Sequence, residues 1–202
     1  VSLPERIVLA SSNAGKVCEI NEMLAGHAVR IVSQSEFNVP EVAETGLTFV
    51  ENALLKARNA ARHTGLPAIA DDSGIELDAL NGHPGIYSAR YAGPGASDAD
   101  NLKKLIDDVK KLPEDKRQCR FVCLMVYLRH AEDPIPLIAE GLWEGTALTM
   151  PHGTNGFGYD PIFYVPNHHC TSAELPPETK NKLSHRGLAL RRLVAQLQAL
   201  YP

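Results

Sequence analysis

Three stretches of the chain set carboxylates, lysines and small residues where they can handle a phosphate. Ser11-Ser12-Asn13-Ala14-Gly15-Lys16 follows an apolar run, Ile7 to Ala10, and leads into a helix predicted to reach about Leu24. A helix start leaves backbone N–H groups free and Lys16 adds a full charge, so the loop can hold an anion. It lacks the GxxxxGK spacing of a Walker A loop, and a short Ser/Asn/Gly turn is more often only a turn. Asp71-Asp72-Ser73-Gly74 follows a second apolar run, Ala68-Ile69-Ala70. A carboxylate at the carboxyl end of a strand can bind magnesium or take a proton from water. Neighbours on a strand point to opposite faces, so one of the pair can serve a given site while the other is structural. The competing reading is a turn of solvated acids. Glu41 and Glu44, in an acidic loop, can supply a second carboxylate. They precede a helix opened by a Thr48/Glu51 capping box and running to about Arg62, on which Asn52, Lys56 and Asn59 share one stripe.

Later segments add groups suited to a nucleoside. Gly153 to Pro161 is too glycine-rich for a core element, and its Phe157 and Tyr159 can stack on a base or line a pocket, unless Phe157 is tucked inward. Lys180, Lys182, His185 and Arg186 gather around a helix start, where the dipole disfavours cations; that placement suggests an anionic guest, with solvated lysines as the alternative. His168-His169-Cys170 offers no ligand spacing known for a metal.

The elements that must position these residues read as one α/β unit. Phe121 to Leu128 is apolar at both alternating positions, which predicts a central strand, and residues from about 135 to 149 are its predicted antiparallel partner. A helix is predicted from Ser97 to about Lys111, with aspartates first and lysines last. Ser184 is positioned to cap an amphipathic helix ending near Leu200, its apolar face set by Leu190, Leu193, Val194, Leu197 and Leu200. The 202 residues, 44% hydrophobic and 22% charged, fit a single domain spanning 1–202. A formal net charge of −4 gives no electrostatic ground for nucleic acid or an anionic membrane as partner. The four cysteines match neither a zinc knuckle nor a redox pair, the N-terminal apolar run is too short for a signal segment, and no stretch approaches the ~18 apolar residues of a membrane span. A cytoplasmic protein is expected.

Taken together and in order, these stretches resemble the inosine triphosphate pyrophosphatase family. The likeness is carried by SSNAGK at 11–16, ETGLTFVENA at 44–53, ADDSG at 70–74, PGIYSARY at 84–91, GFGYDPIF at 156–163 and SHRG at 184–187. Ser11 stands where the family often has threonine, which keeps the hydroxyl. The resemblance implies an elongated α/β fold with a central mixed sheet flanked by helices, two lobes around a substrate cleft, and a homodimer. It implies hydrolysis of non-standard purine nucleoside triphosphates (dITP or ITP, XTP or dXTP) to the monophosphate and pyrophosphate, with Mg2+ as cofactor. By matching position, Asp72 is the expected catalytic carboxylate and a metal ligand, with Glu44 and Glu41 as further metal ligands. Ser11, Ser12, Asn13, Ala14, Gly15, Lys16, Lys56 and Ser73 are expected to contact the phosphates or sugar. Phe157, Gly158, Tyr159, Asp160, Lys180, His185 and Arg186 are expected to hold the nucleoside. The alternatives are a related pyrophosphatase acting on pyrimidine or methylated nucleotides, and a nucleotide-binding regulator without catalysis.

Overall fold

Ile7, Val8 and Leu9 are fully or almost fully buried, and they form the first strand, β1 (Arg6–Leu9). The computed structural model describes residues 4–11, 14–25 and 28–201. Helix α1 (Ala14–Met23) leads to strand β2 (Arg30–Ser33), and helix α2 (Phe49–Thr64) leads to strand β3 (Ala68–Leu77). β1 runs parallel to both strands, with Ile7 opposite Ile31 and Leu9 opposite Ile69. Parallel pairing requires long return connections, and α1 and α2 fill them. Asn21 ties α1 to β2: its amide donates to Val17 O and Ile31 O and accepts from Ile31 N.

Helix α3 (Asp98–Val109) is followed by strands β4 (Gln118–Leu128), β5 (Leu137–Ala147), β6 (Phe163–Val165) and β7 (Cys170–Thr171), then by helices α4 (Pro177–Leu183) and α5 (His185–Leu200). The strands form one seven-stranded sheet in the order β2-β1-β3-β4-β5-β6-β7. β6 pairs antiparallel with β5 at Thr146 and Ala147, and with β7 on its other side. The sheet is therefore mixed, as expected, and the fold is α/β.

The chain divides into two compact units, one made of residues to Asp72, Leu124–Glu140 and Ala189 onward, the other of Ser73–Cys123 and Gly141–Leu188. The core of the first is built from β1, β2, β3 and β4 side chains against an alanine face of α2: Val8, Val32, Ala53, Ala57, Ala60, Ala61, Val126 and Leu128. Alanines let a helix lie close to a sheet, and they leave α2's longer polar side chains to stand elsewhere. In this unit Arg192 Nη1 and Gln196 Nε2 of α5 donate to the backbone carbonyls of Glu140 and Ile138, at 2.6 and 3.0 Å, on the part of β5 before its pairing with β6. The core of the second unit is aromatic, with Phe121, Trp143, Tyr159 and Phe163 packed among Ile75, Leu77, Leu105 and Ile162. Phe163 lies 4.5 Å from the Phe121 ring and 4.9 Å from Trp143.

One expectation changes. Asp71 to Gly74 is not a turn: β3 continues to Leu77, and Asp71 and Asp72 are only 6% and 8% exposed. A strand can carry two acids inward because each has an ammonium partner, described below. The segment after Pro176 forms the short helix α4, with Pro177 in its first turn, where a missing N–H costs nothing. Ser184 caps α5 as expected, accepting from Gly187 N at 3.2 Å.

Candidate active site

The first unit gathers an ion-pair cluster around Asp72, midway along β3. Lys56 Nζ, from the second turn of α2, stands 2.8 Å from Asp72 Oδ1 and 2.9 Å from Glu44 Oε1. Asn52, one turn earlier and fully buried, donates to Asp72 Oδ2 at 3.3 Å and accepts from Gly46 N at 2.8 Å. The stripe read in the sequence is thus real, with Asn59 completing it by holding Pro40 O. Thr48 caps α2 by accepting from Glu51 N, while Glu51 takes the Leu47 N–H and the Thr48 hydroxyl, and this fixes the loop that carries Glu44. Asp71 faces another helix: Lys16 of α1 donates to both its carboxylate oxygens, at 2.7 and 2.8 Å. Adjacent strand residues therefore serve different lysines.

Burial pushes the Asp72 carboxyl above its ordinary range, and the pull of Lys56 in the other direction does not cancel it. Burial also draws the Lys56 ammonium down, but the Asp72 and Glu44 carboxylates outweigh it and hold it above its usual value. A raised carboxylate on a rigid strand is a better proton acceptor than a free one.

The donor set suits a hard divalent cation. Two carboxylates, Asp72 and Glu44, converge on a single positive centre, which Lys56 supplies. Magnesium takes one or two carboxylates and completes its shell with water and phosphate oxygens, so no third protein ligand is needed. Among the described residues no group of three or more His, Cys, Asp or Glu side chains could hold a metal ion. Glu41 stands exposed, outside the group around Lys56. Ser11 precedes α1, its carbonyl accepting from Ser33 Oγ at 2.9 Å. Ser12 and Asn13 lie outside the described residues, and Ala14 and Gly15 form the first turn of α1.

The second unit gathers the other group. Asp160, 3% exposed, accepts from Phe157 N, Ser172 Oγ and Lys180 Nζ. Gly156 sits at φ +78°, and a Cβ there would fall 2.1 Å from Asp160 Oδ2, so only glycine allows this closure. The loop between β5 and β6 displays Phe157, 61% exposed, with Lys180 Nζ 5.1 Å and Arg186 Cζ 5.8 Å from its ring centre. Arg186 donates to Ser73 Oγ at 3.1 Å, and Ser73 follows Asp72 in the chain. His185 is buried and stacked on Phe121, with ring centres 4.7 Å apart. Gly158 contributes backbone alone, at φ +58°. Tyr159 turns inward, its hydroxyl donating to Ser88 O at 2.7 Å, and braces the loop from beneath. Phe157 is thus the exposed aromatic of the pair.

Three participants escaped sequence reading. Asn52 was visible only as a member of a stripe; Asp71 was visible only as the other acid of a pair; Ser172, which orders Asp160, carries no signal in its surroundings.

The sequence model of the Ham1 family matches residues 7–196. The dITP/XTP pyrophosphatase of Vibrio cholerae is 59% identical over 194 residues, covering 96% of this chain and 97% of its own. That of Thioalkalivibrio sulfidiphilus is 60% identical over 193 residues, covering 96% and 98%. Among solved structures, a HAM1 protein from Coxiella burnetii superposes with a TM-score of 0.93 at 48% identity, covering 97% of this chain and 100% of that one. The Staphylococcus aureus Ham1 protein follows the same fold with a TM-score of 0.87 at 41% identity, covering 96% and 98%.

Proposed function

Because this chain belongs to the Ham1 family, we propose that it is a nucleoside-triphosphate pyrophosphatase that cuts dITP, XTP and related non-standard purine triphosphates into monophosphate and pyrophosphate, with Mg2+ as its ion. The observation that carries the reading is the Glu44–Lys56–Asp72 group, two carboxylates drawn to one cation beside the middle of β3. Asp72 and Glu44 hold the divalent ion, which when bound offsets the charge of the triphosphate. Asp72 takes the proton of the water that attacks the α-phosphorus, and its raised proton affinity suits that task. Lys56 stabilises charge gathering on the departing pyrophosphate, and Lys16 with the start of α1 grips the phosphate chain. Catalysis of this kind is mainly positioning and charge stabilisation.

Phe157, exposed and flanked by cations, gives the base a stacking face. Hypoxanthine and xanthine carry a carbonyl at C6 where adenine carries an amino group. N–H groups on the 157–160 backbone and on Arg186 donate to the carbonyl and oppose the amino group, a mismatch worth ~1–3 kcal/mol per buried group. Family resemblance adds a homodimer, which sedimentation would register as about twice 22.0 kDa. Four free cysteines suit a reducing cytosol, and no helix among the described residues is long and apolar enough to cross a membrane.

The test is pyrophosphate release from dITP, XTP, dATP, dUTP and dTTP with Mg2+. Release from dITP and XTP well above the other three is the expected result. A preference for dUTP or dTTP moves the chain to the pyrimidine reading, and tight dITP binding without release makes it a regulator.

A further inference from the structure

Asn52 makes two hydrogen bonds, and each ends on a different part of the cluster. Its Oδ1 holds the backbone N–H of Gly46, two residues beyond Glu44, and its Nδ2 holds the second oxygen of Asp72. The side chain is completely buried, so water cannot replace either bond. A neutral amide suits this post because it offers one acceptor and one donor. Aspartate would face the carboxylate of Asp72 with a second acceptor, and leucine would satisfy neither end. The loop is also pressed against α2 at this point: a Cβ on Gly46 would fall 2.6 Å from Glu51 Cβ and 2.8 Å from Asn52 Oδ1. Lys56 pulls Glu44 and Asp72 together by charge, which is strong but tolerant of direction. Asn52 sets direction, because an amide bond works over a narrow angular range.

We infer that Asn52 is a positioning residue that holds the Glu44 loop and the Asp72 carboxylate in one fixed register, so that the two acids act as a ligand set matched to Mg2+. The inference rests on the metal reading of that pair given above and adds selectivity among divalent ions. Mg2+ demands near-ideal octahedral geometry at short bond lengths, whereas Ca2+ accepts longer and more variable ones. Loosening the register therefore weakens Mg2+ more than Ca2+. Groups behind metal ligands commonly change affinity or activity by about 10- to 100-fold when removed.

The experiment compares wild type with Asn52→Ser, which drops both bonds, and Asn52→Asp, which keeps the Gly46 bond and turns the other into a repulsion. Two readouts are taken: Mg2+-supported dITP turnover, and the rise in melting midpoint with Mg2+ or Ca2+ beside inosine α,β-methylenetriphosphate, whose P–C–P link cannot be cut. In Asn52→Ser the half-saturating Mg2+ is expected to rise about 10-fold with Ca2+ moved far less, and kcat to fall about 10- to 100-fold while KM for dITP stays within about 3-fold. Asn52→Asp is expected to lose turnover as well. Equal losses with both ions, or wild-type turnover in Asn52→Asp, would overturn the inference. The melting arm reads the ion without any reaction, so a wild type that leaves dITP intact defeats the functional reading while the register of Glu44 and Asp72 is still decided by Mg2+ against Ca2+.

Discussion

Lys56 answers to two carboxylates at once, so a change at either acid alters both the charge and the aim of the other. Asp72→Asn keeps the shape of the side chain on β3 and removes the proton acceptor. Turnover on dITP should fall by ~10²–10⁴, with the melting midpoint nearly unmoved, and unchanged turnover would take Asp72 out of that role. Phe157 allows an independent check. Its ring is mostly exposed, so Phe157→Ala should leave stability alone while KM for dITP rises about 5- to 150-fold, the loss of ~1–3 kcal/mol of stacking. Lys56, Glu44 and Asp72 were singled out in the sequence by charge, spacing or motif, and the structure brings the three together. The particular bonds of Asn52 and Asp71 were not legible. Asn52 matters because a loop residue 6 positions back bonds to it, and Asp71 because a lysine 55 positions earlier reaches it; neither distance shows in the local pattern.

The helices were read with less error than the strands. α2, α3 and α5 carry caps and an apolar stripe long enough to mark themselves, and their ends fall close to the predicted ones. β2, β6 and β7 span two to four residues, too few for alternation to register, and α4 was hidden behind its own proline. β3 was cut short because two acids in succession look like a surface turn. α3 supports a pH prediction. Asp108, near its end, is held down to about 2, chiefly by hydrogen bonding from Lys111 against the cost of burial, with help from Tyr91 and Lys104. A carboxyl lowered on folding adds stability above the unfolded value, and that stability drains as pH falls from about 4 toward about 2. Asp108→Asn should lower stability at pH 7 by roughly 1 kcal/mol, since Lys111 is well exposed, and should flatten the acid limb of a urea-melt series over that window.

Three strands, β3, β4 and β5, run through both compact units, so each unit takes part of its core from the same strands. The order of elements and the family resemblance pointed to one α/β fold with a mixed sheet, and the sheet is mixed: β1 runs parallel to β2 and β3, and β6 runs antiparallel to β5 and β7. The aromatic core of the second unit had no signature beyond scattered Phe and Trp, since its members come from six separate stretches. Phe163 lies at its centre without exposure, and Phe163→Ala should cost about 3–5 kcal/mol in chemical denaturation, a large share of the ~5–15 kcal/mol a domain holds. The arginine and glutamine that reach from α5 to the carbonyls of Ile138 and Glu140 have a consequence for crowded solutions. An open strand margin invites a neighbouring molecule to add its own strand, the first step toward fibres and precipitate. By occupying those carbonyls, α5 leaves fewer free acceptors on this stretch of β5 for a strand from another copy.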